Sequence, residues 1–179
     1  MITHFARNVA RTVLMLALAT PAWSEPITPP GAAALFRRLT ALEGEWVGTS
    51  TKGWSETSKF TTVAGGSVVV QSSFDAHPGE TMFTMYHLDG SRVMLTHYCV
   101  AKNQPRLVAS DTSRDGRTVT FTFLDATGIP SRQKGHMDKA VFTFQDQDHF
   151  TSRWTWYQDG REKWMEEISY QRRPADTGR

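Results

Sequence analysis

Asp-Gly pairs between short β-rich segments constrain the fold of this chain more than any other feature. They occur at Asp89-Gly90, Asp115-Gly116 and Asp159-Gly160. Such pairs suit the two-residue turns of β-hairpins, because glycine accepts positive φ angles. Hairpins in series join neighbouring antiparallel strands. The sequence therefore predicts an antiparallel meander without parallel crossovers.

About ten strands are predicted at the spacing typical of sandwiches and barrels. In one of them Val119, Phe121 and Phe123 alternate with threonines, so one face is buried. Sequential pairing favours an all-β, up-and-down barrel, because closure removes exposed strand edges. Beyond about eight strands, such a barrel is wide enough to hold a small ligand. The predicted strands are 43–50, 54–63, 67–76, 80–88, 92–100, 105–112, 117–125, 136–146, 149–157 and 161–172.

The chain is predicted to contain one domain behind a cleavable leader. A proline-rich lead-in and a helix over 32–42 occupy residues 25–42. The barrel domain takes residues 43–172, and the tail 173–179, which contains proline and glycine, is expected to fray. One domain suits the 155 residues that follow the leader.

Residues 1–24 have the pattern of a secretory signal peptide. Arg7 and Arg11 precede an apolar run over 13–19, and small residues at Ala22 and Ser24 indicate cleavage after Ser24. The apolar run is far shorter than the roughly 20 residues of a transmembrane helix. We therefore expect an exported protein, periplasmic or secreted, with no transmembrane segment.

Charge and cysteine content exclude some functions. Without Arg7 and Arg11, 18 basic residues face 18 acidic ones, so the mature chain has no electrostatic footprint for nucleic acid. Cys99 is the only cysteine, and no disulfide can form within the chain. A lone exported thiol is usually buried.

Polar residues concentrate in the segment 95–99. Alternation on a strand puts His97 and Cys99 on one face, which we expect to contact a ligand inside the barrel together with Tyr86 and Trp156. Residues two apart on a strand lie roughly 6.6 Å apart, too far for the hydrogen bond that activates a cysteine nucleophile. This spacing argues against a Cys-His catalytic dyad.

Asn103, Gln104 and Arg106 follow at a strand turn. Amide side chains at such a corner commonly hydrogen-bond exposed backbone. An arginine beside two amides is also suited to orient a carboxylate or another oxyanion at a barrel mouth. Both interpretations stay open, and the three residues are counted among the candidate ligand contacts.

The histidines do not predict a metal site. His87 and His97 flank the Asp89-Gly90 turn; a two-residue loop points them to opposite faces, and a three-residue loop separates them by roughly 20 Å. No His-x-His, Cys-x-x-Cys or His-Glu-x-x-His spacing occurs elsewhere. No metal ligands are predicted.

The segment Leu42-Glu43-Gly44-Glu45-Trp46-Val47-Gly48 resembles the Leu-x-Gly-x-Trp-x-Gly opening of lipocalin-like barrels and of nitrobindin-type domains. A larger set of segments is similar to a group of uncharacterised bacterial exported proteins with a lipocalin-like, calycin-type domain. These segments are 84–90, 95–99, 103–106, 135–137 and 154–157. The resemblance implies a lipocalin-like barrel and an exported location, and it supplies no activity.

The nitrobindin resemblance implies haem held by a histidine on a strand near the C-terminus. The predicted strand 161–172 contains no histidine, and His149 lies one strand earlier. This departure weakens a haem assignment. The cofactor therefore stays unknown.

We expect the protein to be an exported barrel that binds a small, partly apolar ligand. One alternative is an enzyme that uses His97 as general base, with Tyr86 or Tyr98 as proton donor. The others are a haem or nitrogen-oxide-handling protein and an envelope structural protein with a filled barrel.

Overall fold

A computed structural model describes residues 30–73 and 81–174 of the chain. In these residues a helix, α1 (Pro30–Thr40), precedes ten strands. The strands are β1 (Gly44–Ser50), β2 (Ser55–Val63), β3 (Val68–Ser73), β4 (Met82–Asp89), β5 (Arg92–Tyr98), β6 (Gln104–Thr112), β7 (Thr118–Thr127), β8 (His136–Phe144), β9 (His149–Gln158) and β10 (Arg161–Arg172). A short 3₁₀ turn, Ala64–Gly66, lies between β2 and β3.

The ten strands form one closed antiparallel barrel. Each strand pairs with its neighbours along the chain, and β1 pairs with β10 to complete the circle. The predicted all-β, up-and-down barrel with a short N-terminal helix is confirmed. Closure leaves no unpaired strand edge among the described residues.

The predicted Asp-Gly pairs form the turns of two hairpins. Asp89 pairs with Arg92, which leaves a two-residue turn in which Gly90 has a φ of 57°. At the β9–β10 turn, Asp159 and Gly160 have φ angles of 51° and 80°. Positive φ at both central positions is the conformation of a type I′ turn. The local sequence thus sets the strand connections.

Most elements differ from their predicted bounds by one or two residues, and the helix ends at Thr40 instead of residue 42; the start of the helix and the end of β5 have identifiable causes. The helix begins two residues before the predicted range 32–42, because Pro30 fits the first helical turn, where its missing N–H costs nothing. Strand β5 ends at Tyr98 instead of residue 100. It ends there because the backbone N–H of Cys99 donates to the carbonyl of Asn103 across a tight corner, at 3.1 Å.

Some predictions lie outside the described residues. They are the signal peptide 1–24 with cleavage after Ser24, the ends of the strands predicted at residues 76 and 80, and most of the frayed tail 173–179. The domain boundaries that depend on them stay predictions.

The helix closes one end of the barrel, which we call the helix end. Phe36 and Leu39 of α1 are buried in the core, and a buried side chain of this kind contributes about 2 kcal/mol. Trp46 of β1 is also fully buried, and its Nε1 donates to the carbonyl of Leu42 at 2.7 Å. This hydrogen bond ties the segment after the helix to the first strand.

Arg172 of β10 holds the helix end together. Its guanidinium lies 4.2 Å from the ring centroid of Trp46. It donates to the carbonyls of Glu43 at 2.7 Å, Ala41 at 2.9 Å and Gln147 at 2.9 Å. One side chain thereby joins the start of β1, the end of β10 and the β8–β9 turn.

The opposite end of the barrel, which we call the mouth end, includes the connections 51–54, 99–103, 128–135 and 159–160. Strand β1 runs from the helix end to the mouth end, and inward and outward residues alternate strictly along it.

Gly48 lies on the inward face of β1 between two polar side chains. It pairs with Glu56 of β2 and with Tyr170 of β10. A Cβ atom at Gly48 would lie 2.9 Å from Glu56 Cγ, from Tyr170 Cε1 and from Ile168 Cγ2. The missing side chain therefore lets the Tyr170 hydroxyl reach the Glu56 carboxylate. The last glycine of the Leu-x-Gly-x-Trp-x-Gly segment thus has a packing role.

We expect Gly48→Ala to lower the free energy of unfolding by about 2 kcal/mol, because the added methyl group overpacks the interior. Urea unfolding followed by tryptophan fluorescence measures this change. The control is Gly31→Ala, since a Cβ at Gly31 would meet nothing within 4 Å. Equal stability of the two variants would contradict this account.

Candidate functional site

Inward-facing side chains change from apolar to polar toward the mouth end. A barrel filled for stability alone would carry apolar side chains there, because buried polar groups cost free energy unless they are hydrogen-bonded. We call the buried, inward polar residues of the strands the interior polar cluster. They are Ser50, Glu56, Ser58, Gln71, Ser73, Thr84, His97, Ser152 and Glu166.

A hydrogen-bonded chain crosses strands β2, β3 and β4 within this cluster. The hydroxyl of Tyr86 donates to Gln71 Oε1 at 2.7 Å, and Gln71 Nε2 donates to Ser58 Oγ at 3.0 Å. Burial raises the pKa of Tyr86 far above its ordinary value of 10.0. Tyr86 is therefore a neutral hydrogen-bond donor at every physiological pH.

Two carboxylates lie inside the barrel. The Tyr170 hydroxyl donates to Glu56 Oε1, and the Ser50 hydroxyl donates to Glu166 Oε1 at 2.7 Å. Burial, followed by the charge of Glu56, raises the pKa of Tyr170 well above its ordinary value. Both carboxyl side chains are buried, and each accepts one of these hydroxyl hydrogen bonds.

His97 of β5 is a buried side chain with an open hydrogen-bonding position. Its Nδ1 lies 2.9 Å from Thr84 Oγ1, and its ring centroid lies 5.1 Å from that of Trp154. Among the described residues its Nε2 has no hydrogen-bond partner, although the residue is only 4% exposed. Burial lowers the pKa of His97 to about 4, so the imidazole is neutral near pH 7.

A cavity of about 440 Å³ opens at the mouth end. It is lined by Lys52, Trp54, Trp164 and Glu166. The Trp164 ring stacks on Trp156, with centroids 6.0 Å apart and planes inclined by 4°. Indole rings therefore form much of its wall, beside the buried Glu166.

Trp154 links the cavity-lining residue Glu166 to His97. Trp154 of β9 pairs with Glu166 of β10, so both side chains lie on the inward face as neighbours. Trp154 in turn contacts the His97 ring. We call Trp54, Trp164, Glu166, Trp154 and His97 the mouth site.

The structure brings three of the predicted residues into or near the interior. His97 and Tyr86 are buried on the inward face. His97 belongs to the interior polar cluster, and Tyr86 is hydrogen-bonded to Gln71 of that cluster. Trp156 is half-buried, stacks on Trp164 and donates from Nε1 to Gln158 Oε1 at 3.3 Å. The two-residue β4–β5 loop puts His97 opposite Thr84, on the face away from His87.

The other predicted residues lie at or beyond the β5–β6 corner. Cys99 is half-buried at the corner itself. Asn103 is buried and donates from Nδ2 to the carbonyl of Gly135 at 2.9 Å, and Gln104 Oε1 accepts from the Thr127 hydroxyl at 2.5 Å. The Asn103 contact is with backbone, whereas the Gln104 contact is with a side chain.

Arg106 lies on the outer surface. Its Nε donates to Asp125 Oδ1 at 2.5 Å, its Nη2 donates to Asp125 Oδ2, and this pairing raises the pKa of Arg106. The carboxylate expected from a ligand is thus supplied by the neighbouring strand. The structure does not bring Arg106 together with His97.

Sequence reasoning missed Glu56, Glu166 and Trp54 as interior or mouth residues. A signal for the two glutamates was present: Glu56 has the same strand parity as the apolar Phe60, and Glu166 has that of Ile168. Trp54 lies in a turn, where alternation gives no information.

Two residues proposed for the alternative functions, Tyr98 and His149, lie away from the interior. Tyr98, the second candidate proton donor, is 43% exposed on the outer face, away from His97. His149 is exposed at the helix end and lies 3.0 Å from Asp146. Within residues 30–73 and 81–174, no group of three His, Cys, Asp or Glu side chains is arranged to hold a metal ion.

A second aromatic cluster fills the gap where β7 and β8 separate. The guanidinium of Arg132 lies between the rings of Phe123 and Tyr157, with centroid distances of 4.0 and 4.2 Å. Arg132 also contacts His136 and Asp138. Its polar groups are satisfied by one another, so this cluster anchors the loop 128–135 and presents no open position.

The strand pairing defines the class of protein: a closed, ten-stranded antiparallel barrel, consistent with the lipocalin-like class. No protein-family model matches the chain, and no curated protein does. Among solved structures it is similar to a protein of unknown function from the DUF3598 family of Nostoc punctiforme PCC 73102. The identity is 15%, the TM-score is 0.49, and the match covers 75% of this chain and 49% of that one. The chain thus spans about half the length of that protein.

No helix in the described part of the chain has the length and apolar character required to cross a membrane.

The buried His97 makes stability depend on pH. Its pKa is about 4 in the folded protein and 6.5 as the ordinary value, so the unfolded chain binds the proton first as the pH falls. The stability that the neutral His97 contributes is complete above the pKa of the histidine in the unfolded chain, and it is lost between about pH 6.5 and pH 4. We expect wild type to lose about 2 kcal/mol between pH 7 and pH 5 that His97→Gln does not lose.

Urea unfolding of both proteins at the two pH values measures this difference. A His97 ring-proton resonance that titrates with a midpoint near the ordinary histidine pKa would contradict the prediction.

Proposed function

We propose that this protein is an exported, lipocalin-like binding protein whose barrel accepts a small, partly apolar ligand at the mouth site. The observation that carries the proposal is the open Nε2 of His97, a buried polar atom without a partner in the described residues. An unsatisfied buried polar group costs about 1–3 kcal/mol. A bound ligand that completes the hydrogen bond recovers this cost.

The shape and composition of the cavity support the same proposal. Its volume of about 440 Å³ lies within the usual range for small-molecule sites, roughly 300–1,000 Å³. Its walls are indole rings, which provide large apolar contact surfaces. Trp54 Nε1 is buried there without a partner among the described residues, so a second position is open to a ligand. An apolar wall with a few polar positions is typical of ligand sites.

The interior polar cluster argues against a purely structural barrel. Evolution for stability alone favours apolar, close-packed interiors over buried carboxylates. Glu56 and Glu166 are both buried in this barrel. A scaffold protein gains nothing from them, whereas a binding protein uses them to orient a ligand.

The proposed location follows from the leader pattern and from the resemblance to exported lipocalin-like proteins. Cleavage after Ser24 would release the barrel into the periplasm or the medium. Cys99 is the only cysteine of the chain, so no disulfide within the chain is required in this setting.

Binding of Nile red, an uncharged dye without N–H or O–H groups, tests the proposed function. We expect a saturable increase in dye fluorescence with the purified protein. Trp164→Ala and Trp54→Ala should each weaken binding about tenfold, because each removes an indole wall of the cavity. Fluorescence titration measures the dissociation constants.

Two outer-surface variants serve as controls. Phe83→Ala removes an exposed aromatic ring from the outer face, and Arg106→Gln removes the ion pair with Asp125. Both should bind the dye as wild type does. Loss of dye binding in Phe83→Ala but not in Trp164→Ala would place the ligand outside the barrel and overturn the proposal.

A further inference from the structure

We propose that the cavity of the mouth site holds the head group of an organic cation, a quaternary ammonium carried by a small, partly apolar molecule. This assignment rests on the proposed function and specifies the ligand class. The cavity has a volume of about 440 Å³ and is lined by Lys52, Trp54, Trp164 and Glu166.

Two indole rings supply the first half of a cation site. Trp54 and Trp164 both line the cavity. The Trp164 ring stacks on Trp156 with centroids 6.0 Å apart, yet the residue keeps 38% of its surface exposed. The face of an aromatic ring carries negative electrostatic potential, and tryptophan is the side chain that best attracts a cation within about 6 Å of its ring centroid. These walls therefore favour a cation as well as apolar groups.

A carboxylate supplies the second half. Glu166 lines the same cavity, is 5% exposed, and accepts at Oε1 from the Ser50 hydroxyl at 2.7 Å. Within residues 30–73 and 81–174, no basic side chain forms an ion pair with Glu166. A buried carboxylate without an ion pair costs free energy, because it has left water without gaining an opposite charge. A cationic head group in the cavity offsets this cost.

Other aromatic rings of the barrel are covered by a cation of the chain itself. Guanidinium groups lie over Trp46, over Phe123 and Tyr157, and over Phe144, and they belong to Arg172, Arg132 and Arg38 respectively. In the described part of the chain, no arginine or lysine lies over Trp54 or Trp164. The mouth cavity thus combines aromatic surfaces and a carboxylate that no described cation contacts.

Lys52 does not fill this role. It lines the cavity but is exposed, so solvent and salt screen its ammonium group. A primary ammonium is also strongly hydrated, and indole walls return few of the hydrogen bonds that it would lose. A quaternary ammonium has no N–H group and presents methyl groups to the walls, so it loses less on entering. Its charge needs no hydrogen bond from Glu166, whose Oε1 already accepts from Ser50.

Three hydroxyethyl compounds of similar shape test the sign of the charge. Choline carries a trimethylammonium group, 3,3-dimethyl-1-butanol replaces its nitrogen by carbon, and isethionate carries a sulfonate. Proton NMR titration and displacement of Nile red measure the affinity of the purified protein for each compound. We expect choline to bind about tenfold more tightly than the neutral alcohol, and isethionate to bind most weakly.

Three variants test the origin of this preference. Glu166→Gln keeps the size of the side chain but removes its charge, so the ratio of the choline affinity to the alcohol affinity should fall toward one. Glu167→Gln removes the same charge one residue along β10, on the outer face beside Arg153, and should keep the wild-type ratio. Lys52→Gln removes the opposing charge and should raise the choline affinity a few-fold at low salt.

An affinity for choline no higher than that for the alcohol, tightest binding of isethionate, or binding of Nile red alone would overturn the ligand class while the proposed function stands. An equal loss of the ratio in Glu167→Gln and Glu166→Gln would also overturn it, because the preference would then not come from the cavity. Failure of Nile red and of all three compounds to bind would remove the proposed function as well. The ratio measured on wild type does not depend on whether a variant folds.

Discussion

Pairing of β1 with β10 is the constraint on which the rest of this structure depends. It joins the first and the last strand, and the inward face at this junction has no room for a side chain at Gly48. Arg172 secures the same junction at the helix end by its contacts with Trp46 and nearby carbonyls. Without this closure, β1 and β10 would both be open edges.

Closure also gives the interior its chemical character. Because no edge remains among the described strands, the inside of the barrel exchanges with solvent through its ends, and α1 covers one of them. The low dielectric constant inside strengthens the hydrogen bonds of Glu56, Gln71 and Tyr86 and lowers the pKa of His97. Polar residues in such an interior cost free energy of folding. Their concentration toward the mouth end is therefore better explained by the proposed binding function than by stability.

The fold was predictable because its signals are local. Asp-Gly turns, strand alternation and the segment ending at Gly48 each act over a few residues, and they agree with one another. The site was less predictable, because it depends on which face of each strand turns inward and on register across the barrel. His97 was found through its strand, whereas Glu166 requires the β9–β10 register, which no local pattern contains.

The β5–β6 corner shows that a high density of polar residues in the sequence does not by itself indicate a ligand site. Asn103 uses its amide to hold the carbonyl of Gly135, and a Cβ at Gly128 would lie 2.6 Å from the Lys102 carbonyl, so the loop 128–135 packs directly on the corner. The corner therefore has a structural role. By ending β5 one residue after His97 and packing that end against a second loop, it fixes the position of the buried imidazole near the mouth end. In the proposed binding function, its polar residues position His97, and inward residues of strands far away in sequence contact the ligand.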